Sequence, residues 1–330
     1  MNRVVVTGGA GFIGSHTTDL LLNLGYEVSV IDNLSGGSLK NLSDHKDDSN
    51  LTFFNADIRD IDSIKKIIKG ARAVIHFAGL GDIVPSINAP LEYMDVNVGG
   101  TIKVLESCRE MGVRRLVYAA SSSCYGEAIT PTPETAQIDT KYPYAFSKYL
   151  GELAVIHWRK VYKLDAVSLR IFNAYGPRSR TSGAYGAVIG VFMAQRLANL
   201  PLTIVGDGSQ RRDFVYVQDV ADAFVKAAFA EGLQEPIMNL GSGLSHSVND
   251  LAELIGGERN YIPNRPGEPF ETLAEVDRIQ KQLEWSAKTS FSDGIAKVLE
   301  HENYWKDAPV WTADAINNQT SEWFKYLGQS

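Results

Sequence analysis

A run of closely spaced glycines near the amino terminus constrains the fold more than any other feature of this sequence. Residues 8–14 (GGAGFIG) follow the apolar stretch at residues 4–6 and open an amphipathic stretch. Glycines at this spacing permit a tight turn, a close approach of the backbone to a pyrophosphate, and close packing of a helix on a strand. The free N–H groups at the start of that helix attract phosphate oxygens. The segment therefore predicts a strand–turn–helix unit that binds a dinucleotide.

An acidic residue at the expected distance supports this interpretation. Asp32 ends the second predicted strand, 18 residues after Gly14, and a carboxylate there can bind the ribose hydroxyls of the adenosine half. It would repel a 2′-phosphate, and no arginine follows it in Asn33 and Leu34. The pattern therefore predicts NAD rather than NADP.

Short apolar runs alternate with amphipathic stretches through the first half of the chain. We predict strands at residues 4–6, 28–31, 52–54, 74–77, 116–118 and 166–170, and helices near residues 12–24, 60–69, 91–111 and 143–162. Such alternation is typical of βαβ units whose parallel sheet is covered on both faces. The predicted fold class is α/β, with a Rossmann-type doubly wound parallel sheet.

The second half of the chain has a less regular pattern. Loops rich in Gly, Pro, Ser and Arg are predicted at residues 173–186 and 263–270, and helices near residues 219–230 and 247–255. We expect an NAD-binding domain over residues 1–172, to which segments near 210–240 return. A smaller α/β substrate domain would consist mainly of residues 173–330.

The composition limits the classes of partner and the compartment. The 330 residues carry a formal net charge of −7, which argues against nucleic acid or an anionic membrane as the main partner. The two cysteines, Cys108 and Cys124, form neither a disulfide framework nor a metal-binding spacing. No signal peptide or membrane-spanning run is evident, so we expect a cytoplasmic protein without a metal. Trp305, Trp311 and Trp323 in the tail are expected to dock on the body of the protein, and the sequence gives them no chemical role.

Two further motifs carry groups suited to proton transfer. Tyr144 and Lys148 stand four residues apart in a predicted helix, so both side chains lie on one face. The lysine charge would favour the phenolate and lower the pKa of the phenol, which makes Tyr144 a candidate base. Ser121 begins a serine run directly after a predicted strand, at the sheet edge where ligands bind.

The sequence resembles the extended short-chain dehydrogenases/reductases, specifically the nucleotide-sugar epimerases typified by UDP-galactose 4-epimerase. Matching motifs follow in order along nearly the whole chain. They comprise the glycine loop, Asp32-Asn33-Leu34, Asp57-Ile58, HFAG at 76–79, Asn97, the serine run, Tyr144 with Lys148, RIFNAYGP at 170–177, GDG at 206–208, RDF at 212–214 and RPGE at 265–268.

The resemblance implies specific roles for the residues in these motifs. It places the adenine against Asp57 and Ile58, and it places Asn97 in the wall of the cofactor pocket. The full set implied for the cofactor is Gly8, Gly11, Phe12, Ile13, Gly14, Asp32, Asn33, Asp57, Ile58, Phe77, Ala78, Gly79, Asn97 and Lys148. The set implied for the nucleotide-diphosphate sugar is Gly81, Ser122, Ser123, Asn173, Arg212, Arg265, Glu268 and Thr272. Two guanidinium groups, from Arg212 and Arg265, suit a diphosphate.

The serine run also bears on the type of reaction. The dehydratases of this family carry Thr-Asp-Glu there, and the related decarboxylases use a glutamate, whereas this chain has Ser121, Ser122 and Ser123. A 4-epimerase needs no such acid, so the resemblance implies 4-epimerisation with Tyr144 as base. The alternatives are a GDP-, CDP- or dTDP-sugar epimerase or reductase, a plain two-substrate dehydrogenase, and a non-catalytic NAD-sensing regulator.

Two positions bear on the sugar. In this family a tyrosine seven residues after the arginine of the Arg-Pro-Gly-acid motif restricts the pocket to unsubstituted hexoses, and the residue here is Thr272. A lysine common in hexose-only enzymes is replaced by Gly81. Both residues are small, which favours interconversion of UDP-N-acetylglucosamine and UDP-N-acetylgalactosamine, with UDP-glucose and UDP-galactose as further substrates. The resemblance also implies a homodimer formed through the helices near 91–111 and 143–162.

Overall fold

Seven of the strands form one parallel sheet in the computed structural model, which describes residues 2–179, 188–264, 268–312, 315 and 321–327. The strands are β1 (Arg3–Thr7), β2 (Glu27–Asp32), β3 (Leu51–Asn55), β4 (Ala73–His76), β5 (Arg115–Ser121), β6 (Ala166–Ile171), β7 (Asn173–Tyr175), β8 (Leu202–Val205), β9 (Arg211–Arg212), β10 (Phe214–Tyr216), β11 (Ile237–Leu240), β12 (His246–Ser247) and β13 (Arg259–Ile262). The large sheet has the order β11-β6-β5-β4-β1-β2-β3. Its order reverses at β1, and this is the point where ligands bind in such sheets. The predicted Rossmann-type fold class and its strands are confirmed.

Helices cover both faces of the sheet and form much of the second half. They are α1 (Phe12–Asn23), α2 (Ile61–Ile68), α3 (Ile83–Asn88), α4 (Pro90–Tyr93), α5 (Thr101–Glu110), α6 (Pro143–Tyr162), α7 (Val188–Leu197), α8 (Val217–Phe229), α9 (Val248–Ile255), α10 (Asp277–Leu283), α11 (Phe291–Glu300) and a C-terminal helix (Ser321–Leu327). Short 3₁₀ segments lie at Leu39–His45, Ser122–Tyr125 and Glu302–Trp305. Within the described ranges, none of these helices combines the length and the apolar character needed to cross a bilayer.

The helix predicted near 91–111 is interrupted in its middle. A π-helical segment, Met94–Gly100, separates α4 from α5. Such segments are frequent at functional sites because the wider turn redirects side chains. Here it carries Asn97, whose side chain bonds to the segment after β4.

Alternating side chains of the strands build two cores, one on each face of the sheet. Val4 and Val6 of β1 join the core that includes residues of α1 and α8. Val5, between them, joins the core that includes residues of α2 and α5. Burial on both faces explains why these strands appear in the sequence as unbroken apolar runs.

The chain after Phe172 forms a further core and also returns to the sheet. β11 pairs with β6, so a segment from the second half of the chain lies in the large sheet. The domain boundary at residue 172 and the return of segments near 210–240 stay predictions. The first residues of the predicted loop at 173–186 instead form β7, which pairs with β10. That part of the prediction is wrong because the strand has only three residues and each of its residues pairs with one 41 positions away in the sequence. Residues 180–187 lie outside the described residues.

The tryptophans of the tail dock on the body, as predicted. Trp305 and Trp323 are each 1% exposed, and Trp311 packs against the small core of Val191 and Ile262. Trp305 belongs to the core of the second half, which also contains residues of α7, α9 and α11. Trp323 occupies a different place, on the wall of the main cavity.

Candidate active site

A cavity of about 690 Å³ opens at the carboxyl ends of the strands of the large sheet. Its walls come from the loops after β1, β2, β4 and β5, and from the chain after β6. This volume is in the range of cavities that bind cofactors and substrates. One end of the cavity is lined by the glycine loop, and the other by residues of the second half.

The glycine loop is packed too tightly for side chains at two positions. Gly8 has φ +69°, and a Cβ there would lie 2.7 Å from the backbone nitrogen of Ala78. A Cβ at Gly14 would collide with the carbonyl of Gly8. The loop therefore turns sharply into α1 and leaves the backbone at the start of that helix facing the cavity. The predicted residues Gly8, Gly11, Phe12, Ile13 and Gly14 all line it.

The loop after β2 places the predicted ribose ligand against this turn. Asp32 is 7% exposed and lines the cavity. One carboxylate oxygen accepts a hydrogen bond from Ala10 N at 3.1 Å, and the other accepts one from Leu34 N at 2.8 Å. These two bonds orient the carboxylate on the cavity wall.

The next predicted pair, Asp57 and Ile58, lies beside Asp32 on the same wall. Asp57 accepts hydrogen bonds from Asn33 Nδ2 at 3.0 Å and from Arg59 Nη2 at 2.7 Å. These bonds, chiefly the one from the Arg59 side chain, hold the pKa of Asp57 well below its usual range. Arg59 also lines the cavity. The sequence pattern did not indicate this, because a single arginine after an acid is usually a surface charge. The wall predicted to bind the adenine thus includes a paired charge rather than an isolated carboxylate.

Phe77, Ala78 and Gly79 line the cavity as predicted, but Asn97 does not. Asn97 is 1% exposed. Its amide donates to the Leu80 carbonyl oxygen at 3.0 Å and to Ser147 Oγ at 2.9 Å, and its oxygen accepts from Leu80 N at 2.8 Å. The placement of Asn97 in the wall is therefore wrong, because these bonds hold the side chain behind the loop. Asn97 supports the loop after β4 from the side of that loop that faces away from the cavity.

The three residues predicted for proton transfer meet on one wall. Ser121 ends β5, and Tyr144 and Lys148 lie on successive turns of α6. All three line the cavity. Ser121 and Tyr144 share a hydrogen bond, and Ser121 Oγ lies 2.7 Å from Ser123 Oγ. A chain of three hydroxyl groups, from Tyr144 through Ser121 to Ser123, thus leads along this wall, which Ser122 also lines.

The charges around this hydroxyl chain differ from the expectation. Burial raises the pKa of Tyr144, the hydrogen bond with Ser121 acts in the opposite direction, and the charge of Asp82 raises the pKa further. Burial also lowers the pKa of Lys148 to about 7. The prediction that the protein lowers the pKa of the phenol is therefore wrong, because desolvation of a buried phenol outweighs the groups that favour its charged form.

Four predicted substrate residues come together at the opposite end of the cavity. Asn173 Nδ2 donates to Thr272 Oγ1 at 3.0 Å. Arg212 Nη2 lies 3.7 Å from Glu268 Oε2. These four residues and Gly81 line the cavity. Arg265 lies outside the described residues.

Three further wall residues had no role at the sequence level: Asp82, Tyr142 and Trp323. Asp82 precedes α3, and Tyr142 precedes α6, two residues before Tyr144. The proximity of Tyr142 to the Tyr144 motif was an available signal. Trp323 is 179 residues from Tyr144 in the sequence, and no local pattern connects the two.

The wall residues described here fit NAD. The tight glycine loop forms a cradle that side chains at Gly8 and Gly14 would fill. Next to it, the oriented carboxylate of Asp32 matches a pair of ribose hydroxyl groups. Lys148 and Tyr144 lie farther along the same cavity, where the reactive end of a dinucleotide would reach.

Comparison with known proteins gives a consistent result. The family model described as "NAD dependent epimerase/dehydratase family" matches residues 4–241. A protein of Methanocaldococcus jannaschii named "Putative UDP-glucose 4-epimerase" is 37% identical over 305 residues, which cover 90% of this chain and 97% of that protein.

Two solved structures share the fold closely. The UDP-N-acetylglucosamine 4-epimerase of Methanobrevibacter ruminantium, solved with UDP-N-acetylmuramic acid, superposes with a TM-score of 0.86 at 32% identity, covering 91% of this chain and 97% of that one. The UDP-glucose 4-epimerase of Thermus thermophilus, solved with NAD, gives a TM-score of 0.82 at 34% identity, covering 91% of this chain and 99% of that one.

Proposed function

Because this chain belongs to the NAD-dependent epimerase/dehydratase family, we propose that it is a UDP-sugar 4-epimerase that interconverts UDP-N-acetylglucosamine and UDP-N-acetylgalactosamine. The observation that carries the proposal is the row of hydroxyl groups from Tyr144 through Ser121 to Ser123 on the cavity wall. The side chains of residues 121–123 carry only hydroxyl groups. It can therefore relay a proton but supplies no carboxylate for loss of water.

The protein's part in the reaction follows from these groups. Tyr144 accepts the proton of the sugar 4-hydroxyl, and Ser121 holds the 4-oxygen by a hydrogen bond. Lys148 would hold the nicotinamide ribose. NAD, when bound there, would supply the hydride acceptor and donor for carbon 4, and its positive ring would favour the phenolate that burial disfavours.

Inversion also requires that the sugar turn over while the nucleotide stays in place. Arg212 lies at the far end of the cavity beside Glu268, and its guanidinium would hold the diphosphate by paired hydrogen bonds. Glu268 would accept from the hydroxyls of the substrate ribose. Anchoring at this end leaves the sugar as the part that rotates, so that either face of carbon 4 reaches the same reacting groups.

The small residues of the wall support an N-acetylated sugar. A Cβ at Gly81 would have no heavy atom within 4 Å, so no described wall atom obstructs a larger sugar substituent at this position. Thr272 lines the same cavity and is held by Asn173. UDP-glucose and UDP-galactose form a second substrate pair, since a pocket that admits an acetamido group also admits a hydroxyl.

The charge of Asp82 argues against uronic acid substrates. This carboxylate lines the cavity and is close enough to Tyr144 to raise its pKa. A sugar carboxylate would add a second negative charge to the same buried region, which costs free energy at low effective dielectric constant. Neutral sugars avoid that repulsion.

A substrate panel tests the proposal directly. The protein is incubated with UDP-, GDP-, CDP- and dTDP-sugars without added reductant, and 4-epimers are followed by NMR. We expect epimers from the UDP-N-acetylhexosamines and from UDP-glucose. Turnover of only GDP-, CDP- or dTDP-sugars would support the alternative family members, and stoichiometric release of NADH would identify a dehydrogenase. Binding of NAD with no turnover of any sugar would favour the regulator.

A further inference from the structure

The C-terminal helix brings an aromatic residue into the candidate active site. Its Trp323 is 1% exposed and lines the same cavity as Tyr144 and Ser121. The two other aromatic residues of the helix, Phe324 and Tyr326, are 40% and 60% exposed. The helix therefore buries the one aromatic side chain that faces the cavity.

Trp323 is part of a row of rings that ends at the proposed base. Its ring centroid lies 5.6 Å from that of Tyr142. The ring of Tyr142 is in turn parallel to that of Tyr144, with 5° between the planes and 6.4 Å between centroids. All three rings line the cavity. The wall beside the base is thus aromatic and comes from two distant parts of the chain.

The position of the helix shows which end of the cavity Trp323 bounds. The C-terminal helix packs against α3, which begins two residues after Gly81. Gly81 is a wall position where a Cβ would meet no heavy atom within 4 Å. Trp323 therefore lies near the part of the wall that includes Gly81 and the reacting groups.

We propose that Trp323 is a positioning residue of the sugar subsite, which packs behind the ring of Tyr142 and so limits the size of the sugar that reaches Tyr144. This inference rests on the proposed function. Trp323 is almost fully buried, so it acts through the Tyr142 ring that it contacts. The flat, apolar surface of an aromatic ring suits the C–H groups on the faces of a pyranose. Trp323 would affect specificity without taking part in proton transfer.

The experiment separates an effect on the sugar subsite from support of the fold. Binding of UDP-N-acetylglucosamine and of UDP alone is measured by calorimetry for the wild type, W323A, W323F and F324A, all in the NAD-loaded form. Phe324 is the matched control because it is the adjacent aromatic residue of the same helix but is exposed. Steady-state KM and kcat are measured for the same proteins.

We expect W323A to weaken binding of the UDP-sugar about tenfold, the scale of one lost aromatic contact, and to leave binding of UDP unchanged. KM should rise by a similar factor. W323F should retain most of the affinity because it keeps a ring, and F324A should behave as the wild type.

Equal weakening of UDP and UDP-sugar in W323A would overturn the inference, since it would indicate a general role in the fold. So would unchanged binding of the sugar in both Trp323 variants. If W323A does not fold, W323F carries the test, with about a threefold loss expected for the UDP-sugar alone. Failure of the proposed function is a separate result, because the wild type itself would then bind and turn over no UDP-sugar.

Discussion

His16 Nε2 and the carbonyl oxygen of Pro177 lie 3.0 Å apart. This contact joins α1, the helix that opens from the glycine loop, to the chain that follows β7. His16 is 8% exposed. Burial lowers its pKa to about 4, although the bond to the Pro177 carbonyl acts in the opposite direction. The imidazole is therefore neutral near pH 7, with Nε2–H as the donor.

The pKa of His16 predicts a loss of stability in mild acid. The unfolded chain binds a proton at this residue as the pH falls through about 6.5, while the folded chain does so only near pH 4. Between these pH values only the unfolded chain binds the proton, which shifts the folding equilibrium toward it. The titration of His16 therefore lowers the free energy of unfolding by about 2 kcal/mol from pH 7 to pH 5. H16Q lacks this titration. Urea unfolding at both pH values should show a smaller loss for H16Q than for the wild type, and equal losses would contradict the assignment.

Tyr144→Phe tests the proposed base. Removing the hydroxyl should lower turnover by about 10²- to 10⁴-fold, because the proton acceptor is lost, while NAD content and the circular dichroism spectrum stay unchanged. Tyr142→Phe is the matched control, since it removes a hydroxyl from a neighbouring ring on the same wall. The mechanism fails if Y144F turns over near the wild-type rate, or if both variants lose the same amount.

Asp32→Asn tests the preference for NAD over NADP. The wild type should bind NAD about a hundredfold more tightly, because the carboxylate would face a 2′-phosphate of like charge. Asparagine keeps the size but loses the charge and one of the two acceptors used by Ala10 and Leu34. Calorimetry should show a smaller ratio of the two affinities in D32N. Asp62→Asn on the exposed surface of α2 is the control, and equal affinities in the wild type would refute this role of Asp32.

Leu153→Glu tests the expected homodimer. Leu153 and Phe146 lie on α6, seven residues apart and hence on one face, and they are 46% and 44% exposed. A charge at this face should shift the protein toward a monomer in light scattering. Leu24→Glu makes the same change at an exposed leucine that follows α1. A wild-type monomer, or equal effects of the two variants, would exclude this face as the interface.

Local patterns predicted the parts of the molecule whose contacts are local. The strand at residues 4–6 is apolar because both faces of the sheet are buried, and Gly8 and Gly14 are required by contacts within a few residues of the turn or with the adjacent strand end. The position of Tyr144 and Lys148 on the same cavity wall follows from helical spacing. These features follow from the apolar pattern, the turn geometry and the helical spacing of short segments.

Other features depend on contacts between distant segments and could not be predicted in this way. Asn97 supports Leu80 because a π-helical segment turns it toward that loop. Trp323 contacts Tyr142 although the two residues are 181 positions apart in the sequence. The raised pKa of Tyr144 has the same origin, because burial depends on everything packed around the ring.

Thr272→Tyr tests the choice of sugar. The threonine lines the cavity and accepts a hydrogen bond from Asn173 at 3.0 Å, so a tyrosine would project into the space near the substrate. Turnover of UDP-N-acetylglucosamine should fall by about a hundredfold, while that of UDP-glucose should change little. The ratio of the two kcat/KM values measures this, because a clash affects only the larger sugar.

Thr272→Val separates the clash from the lost hydrogen bond. Valine has nearly the same volume and removes the acceptor of the Asn173 bond, so it should affect both sugars equally and leave their ratio near the wild-type value. If valine changes the ratio as much as tyrosine does, the hydroxyl rather than the size of residue 272 selects the sugar. If the wild type turns over only unacetylated hexoses, the open space at Gly81 does not serve an acetamido group, and the proposed substrate pair is wrong.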